Sequence, residues 1–142
     1  MATFYTSLTN AEMATQIADL LNQANNLTKV HSRYTILSSH SIYFVEICED
    51  KVIGCVGLTQ ETTNSSLVHH ASVRPNFRKR GVGTKLLRLA VNQCKTPLVY
   101  GRVREDNIAS LSMSFSLGFK FIRKEPKHDY NLIIIGRTGG CL

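Results

Sequence analysis

No C-x-x-C pair occurs among Cys48, Cys55, Cys94 and Cys141, and none of these cysteines has a histidine at zinc-ligand spacing. No metal is expected. A chain of 142 residues can bury a sizeable core without cross-links, so the thiols read as free cysteines of a reducing cytosol rather than a disulfide framework. The start, MATFYTSLTN, lacks the basic residues and apolar run of a secretory leader. Apolar stretches such as residues 132–135 are far too short to cross a bilayer, and a cytoplasmic protein is the expectation. Repeats and low-complexity tracts are missing, as are the aromatic runs of common RNA-binding modules. There is no G-x-x-x-x-G-K-[ST] and no G-x-G-x-x-G after a first strand, so P-loop hydrolysis and Rossmann dinucleotide binding are unsupported. Acids are scarce: 10 Asp and Glu stand against 17 Lys and Arg, a net charge of +7. Such a surface attracts nucleic acid, acidic lipid or an anionic small molecule.

With 43% hydrophobic and 19% charged residues, the chain has the composition of one folded domain over residues 1–142. Residues 3–8 read as a first strand. Thr9 or Asn10 caps a helix over residues 10–25, with Ile17, Leu20, Leu21 and Ala24 at helical spacing. Residues 27–40 give a mixed signal, loop or short helix. Residues 41–48 and 52–60 form a hairpin around Glu49-Asp50-Lys51, and residues 67–73 make the next strand. A helix starts at Thr84 and carries Leu86, Leu87, Leu89, Ala90 and Val91. A strand over residues 98–103 follows, then a helix over residues 107–117 that Gly118 stops. Strands over residues 119–123 and 130–136 close the chain as a hairpin around Pro126. The order, β-α-β-β-β-α-β-α-β-β, is that of a mixed sheet with helices packed on it, α/β or α+β.

The informative segment is Val73-Arg-Pro-Asn-Phe-Arg-Lys-Arg-Gly-Val-Gly-Thr84, where a strand gives way to a basic, glycine-containing loop and then to an amphipathic helix. Glycine permits positive φ and close approach of a ligand. The first amides of a helix have no partner inside it, and together with the helix dipole they favour an anion. A diphosphate suits that place, with Arg78, Lys79 and Arg80 adding positive charge. A plain basic turn before a surface helix has much the same composition.

Arg78-x-x-Gly81-x-Gly83 resembles the Q/R-x-x-G-x-G/A signature of the GNAT acetyltransferases, with Val73-x-Pro75 before it and Leu86-Leu87 after it. Asn107, Ser110, Leu117, Gly118 and Phe119 resemble the family's second signature, N-x-x-[AS] followed by G-F. The resemblance covers nearly the whole chain. It implies a mixed sheet of about seven strands, splayed between the fourth and fifth, with three or four helices. It also implies acetyl-coenzyme A as co-substrate and a primary amine, on a small molecule or a protein, as acceptor. The backbone of Ala71 and Val73 would bond the pantetheine arm. The amides of Arg78, Lys79, Arg80, Gly81, Val82, Gly83 and Thr84 would hold the pyrophosphate. Asn107 and Ser110 would sit beside the pantetheine and adenosine end, and a backbone N–H near Val73 would polarise the acetyl carbonyl.

Transfer from a thioester to an amine needs a base, oxyanion donors and a proton for the leaving thiolate. The base candidate is His69, with His70 behind it; Glu46 and Glu61 are further candidates. Strict alternation would put Leu67, His69, Ala71 and Val73 on one face of the strand and Val68, His70 and Ser72 on the other. The histone-type members have a catalytic glutamate where this chain has Leu67. Many members have a tyrosine acid where this chain has Ser114. Ser114 bonding the sulfur, Tyr100 or Tyr130 reaching in, or departure of the thiolate without a dedicated acid are the alternatives. The acceptor pocket would be built from residues 27–40 and 124–130. Besides acetyl transfer, two readings stand: a degenerate domain that binds coenzyme A without catalysis, suggested by Ser114, and a toxin-like enzyme acting on aminoacyl-tRNA, suggested by the net charge. Monomer and homodimer are both compatible with the sequence, and no membrane partner is expected.

Overall fold

A computed structural model describes residues 3–4, 10–24 and 30–139. The elements run β1 (Thr3–Phe4), α1 (Asn10–Ala24), α2 (Arg33–Ser38), β2 (Ile42–Cys48), β3 (Lys51–Gln60), β4 (Ser65–Val73), a single 3-10 turn (Pro75–Phe77), α3 (Val82–Gln93), β5 (Leu98–Arg104), α4 (Ile108–Ser116), β6 (Lys120–Pro126) and β7 (Asn131–Thr138). The mixed signal between α1 and β2 resolves into the short helix α2, set by a reciprocal cap. Ser32 Oγ accepts from the Thr35 amide at 3.3 Å, and Thr35 Oγ1 accepts from the Ser32 amide at 3.0 Å. Helix α3 begins at Val82 rather than Thr84, and the last turn of chain falls after Pro126, where the Lys127 amide donates to the Tyr130 carbonyl at 2.8 Å. The end of the first strand at Leu8 and of the first helix at Asn25 lie outside the described residues.

The seven strands form one sheet in the order β1-β2-β3-β4-β5-β7-β6. Pairs β1–β2 and β4–β5 are parallel and the rest antiparallel. Apolar side chains leave both faces. Tyr43, Val52 and Cys55 pack under Met13, Ile17, Leu20 and Leu21 of α1 and Ile36 of α2. Phe44, Val56 and Leu58 pack against Leu86, Leu87, Ala90 and Val91 of α3 and Leu111 of α4. The α1 spacing of i, i+4, i+7 and i+8 at these four positions makes the stripe that faces the sheet. Gln16 pins α1 to the β2–β3 turn: it accepts from the Val52 amide at 2.7 Å and donates to the Asp50 carbonyl at 3.1 Å.

Two local features shape the middle of the sheet. β4 and β5 pair only at Ser65↔Leu98, Ser66↔Val99 and Leu67↔Tyr100, then part; this is the splay the resemblance implied. Within the opening, past the last β5 pair, β4 bulges against β3. Gly57 pairs with His69 and Cys55 with Ser72, so His70 and Ala71 together oppose Val56, and His70 takes φ 52°. The bulge overturns the strict alternation expected of this strand. His69 and His70 lie on the same side, with ring centroids 4.3 Å apart.

Candidate active site

The strand-to-helix loop is shaped before any ligand is considered. Arg74 is drawn back onto β3: its amide donates to the Ile53 carbonyl at 2.7 Å and its Nε to the Val52 carbonyl at 2.8 Å. Lys79 at φ 62° and Gly81 at φ 80° then turn the chain into α3, the left-handed conformation that favours glycine at the cap. The first helical bond runs from the Lys85 amide to the Gly81 carbonyl at 3.0 Å, and the amides of Val82, Gly83 and Thr84 have no acceptor among the described residues. Gly54 allows this helix end to approach β3, since a Cβ there would meet Val82 Cγ1 at 2.8 Å. A Cβ on Gly83 would meet Met113 Sδ of α4 at 3.1 Å, whereas one on Gly81 would point into open space.

A cleft of about 550 Å³ opens over these amides. Ala71, Val73, Arg78, Lys79, Gly81, Val82, Gly83, Thr84, Asn107 and Ser110, all singled out from the sequence, line it. Two of the basic residues expected from the sequence to serve the pyrophosphate, Arg78 and Arg80, are occupied otherwise. The Arg78 amide donates to the Pro75 carbonyl at 3.3 Å while its Nε donates to the Val73 carbonyl at 3.1 Å. Arg80 does not line the cleft; its guanidinium lies over the Phe77 ring, 5.3 Å from the centroid. Asn107 caps α4, its Oδ1 accepting from the Ser110 amide at 3.2 Å, which fixes both residues at the edge of the splay.

A second cleft, of about 460 Å³, shares Val56, Ala71, Asn107, Ser110 and Met113 with the first, so the two are one groove through the opening between β4 and β5. His69, His70, His31, Arg102, Arg104 and Ser114 line its far part. His69 Nε2 lies 2.6 Å from Thr59 Oγ1 and 3.2 Å from Ser41 Oγ, which are 2.7 Å from each other. These hydroxyls donate or accept as the ring's tautomer requires and hold its orientation. Room for the ring comes from Gly57, whose added Cβ would meet Tyr43 Cε1 at 3.1 Å and His69 Cε1 at 3.2 Å. His70 Nδ1 lies 3.0 Å from the Tyr43 hydroxyl, and the His31 ring stands edge-on to His70 at 4.9 Å. Burial raises the Tyr43 pKa above the usual phenol value, against hydrogen bonds from Ser39 and Ser41. The phenol is therefore protonated at neutral pH. The Cys55 thiol donates to the His70 carbonyl at 3.2 Å, and burial pushes its pKa up to about 12.

Among the acid candidates only Ser114 lines this groove; it is buried, at 4% exposure. Tyr100 donates to Glu61 at 2.7 Å, which occupies both residues away from the cleft, and Tyr130 lies under the Arg104 guanidinium. Glu46 pairs with Lys85 at 2.9 Å. Tyr43, His31, Thr59, Gly57 and Arg102 belong to no motif of the sequence. Gly54 and Gly57 inside an apolar strand were the available signal, because a strand glycine marks close approach.

A strand-to-helix turn with unbonded amides beside a splayed pair of strands sets the class of fold, and comparison with known proteins gives the family. The family model described as "Acetyltransferase (GNAT) family" matches residues 10–119, and the chain belongs to that family. It is 40% identical over 53 residues to N-alpha-acetyltransferase RimI of Mycobacterium tuberculosis, covering 37% of this chain and 34% of that protein. It is 28% identical over 96 residues to an uncharacterised protein of Mycobacterium leprae, covering 66% of this chain and 27% of that one. The chain thus spans about a quarter to a third of these curated relatives. Among solved structures, yncA, a putative acetyltransferase from Salmonella typhimurium with acetyl-CoA, superposes with a TM-score of 0.78 at 16% identity, over 92% of this chain and 90% of that one. An aminoglycoside 6'-N-acetyltransferase complexed with coenzyme A superposes with a TM-score of 0.73 at 17% identity, over 89% and 90%. At such identities the likeness is one of fold. Among the described residues no helix is long and apolar enough to cross a membrane.

Proposed function

We propose that the chain transfers the acetyl group of acetyl-CoA to a primary amine by direct attack. One observation carries this reading: a single groove runs through the β4/β5 opening from the unbonded first-turn amides of α3 to a pair of histidines and a buried serine. The residues fit the co-substrate at each stage. Three free amides, the glycine cap and the Arg78 and Lys79 side chains suit a pyrophosphate. The unpaired part of β4 beyond Leu67 offers backbone groups at Ala71 and Val73 to an extended amide-bearing arm.

When bound, acetyl-CoA supplies the carbonyl carbon that the amine attacks and the thiolate that leaves. His69 takes the amine's proton, directly or through water, while Thr59 and Ser41 hold its ring. A backbone N–H near Val73 donates to the oxygen that becomes negative. Ser114, in the lining of the groove, would hydrogen-bond the departing sulfur; a thiolate leaves readily enough that a weak donor suffices. The experiment is a thiol-release assay with acetyl-CoA and a panel of amines. Release that depends on the amine is the expected result; tight acetyl-CoA binding with no release from any amine would refute transfer and leave a coenzyme A-binding domain.

A further inference from the structure

Tyr100 is the last β5 residue paired with β4, opposite Leu67. Two residues further along each strand, on the same face, stand Arg102 and His69, which flank the mouth of the opening. Val99 and Val103 point the other way, into the core under α3. Arg102, Arg104, His31, His69 and His70 all line the 460 Å³ part of the groove. All 10 acids of the chain fall within the described residues, and none of them lines it.

The neighbouring acids are already paired. Asp106 pairs with the groove-lining Arg104 itself at 3.2 Å, Glu125 with Arg123 at 2.7 Å and Glu105 with Lys124 at 2.6 Å. Arg102 differs from these cations: among the described residues it has no carboxylate at ion-pair distance. Its guanidinium rests 5.6 Å from the Tyr100 ring centroid and hydrogen-bonds that phenol, and Glu125 is within electrostatic range but paired to Arg123. A polycationic acceptor needs carboxylates to hold its surplus charge, and this lining offers none.

Resting on the acetyl-transfer reading, we infer that the acceptor is a small amine carrying a carboxylate, an amino-acid-like molecule, with Arg102 as the residue that anchors the carboxylate. A guanidinium binds a carboxylate through two parallel N–H···O bonds, which sets the direction of the rest of the molecule. From Arg102 the amine is aimed across the mouth of the opening towards His69. Pairing with Arg102 also removes the carboxylate's own pull on the ammonium proton, which favours the neutral, attacking amine.

The test compares kcat/KM in the thiol-release assay for an amino acid, for its carboxamide and for a polyamine. The expected result is a preference of about tenfold or more for the free carboxylate, in keeping with a hydrogen bond to a charged group. Arg102→Gln should bring that ratio close to one, and Arg102→Lys should keep part of it, with acetyl-CoA affinity of both variants serving as the check on folding. Equal use of the carboxamide, a preference for the polyamine, or an unchanged ratio in folded Arg102→Gln would overturn the inference while leaving acetyl transfer standing. Silence with every amine would overturn both.

Discussion

Gly81 is needed for its conformation and for the space above it. At φ 80° an L side chain is strained by about 1–2 kcal/mol, yet an added Cβ meets nothing within 4 Å. Conformation and charge can therefore be separated. Gly81→Glu should abolish coenzyme A binding, because it sets a carboxylate beside the free amides, whereas Gly81→Ala should keep measurable affinity at a modest cost in stability. Calorimetry showing equal affinity for wild type and Gly81→Glu would remove the phosphate cradle. His69 carries the second residue-scale prediction. His69→Ala should lower turnover roughly 10²-fold at neutral pH, the lower end of general-base effects, and recover in part at high pH as the acceptor loses its own proton. An unaltered pH–rate profile would exclude His69 as the base, and His70, held by Tyr43, would be the next residue to replace.

At the scale of elements, β4 is decisive. Its bulge places two consecutive histidines on one side and leaves Ala71 and Val73 on a stretch that β5 does not pair. The conformation at the bulge is costly for most side chains. His70 at φ 52° is tolerable where a β-branched residue is not. His70→Val should destabilise by roughly 1–3 kcal/mol in urea melts, and more than His70→Asn, which suits the left-handed region. Equal midpoints for the two variants would mean that the bulge relaxes. The other elements were largely legible. Helices α1, α3 and α4 announce themselves by spacing and caps, and α2 only by Ser32 and Thr35, whose cap lacks the usual acidic partner.

On the scale of the whole molecule, stability depends on a sheet with a separate core on each face. Cys55 sits in the α1-side core, fully buried, with a pKa raised from 9.0 to about 12. Above about pH 9 the unfolded thiol loses its proton while the folded one keeps it, so the unfolded state binds fewer protons and stability falls as pH rises. By pH 10, one unit above the starting value, the loss is on the order of 1 kcal/mol. Cys55→Ala should flatten this alkaline limb of the denaturation midpoint, although the raised Tyr43 phenol adds a similar slope at still higher pH. A wild-type midpoint unchanged between pH 8 and pH 10.5 would contradict the burial of this thiol.

Local chemistry written into the chain was enough to specify the order of elements, the glycine-capped loop at Gly81 and Gly83 and the cap at Asn107, because each depends on neighbours within a few residues. The splay followed from resemblance to a family whose signatures are local in the same way. What the residues could not show alone is which side chains meet across strands. Alternation failed at His70 because one extra residue against Val56 reverses every direction beyond it, and that register is settled only when β3 and β4 pair. The meeting of His69 with Thr59 and Ser41, of His70 with Tyr43 and His31, and of Arg102 with an acid-free groove joins residues far apart in sequence, and only packing of the completed sheet brings them together.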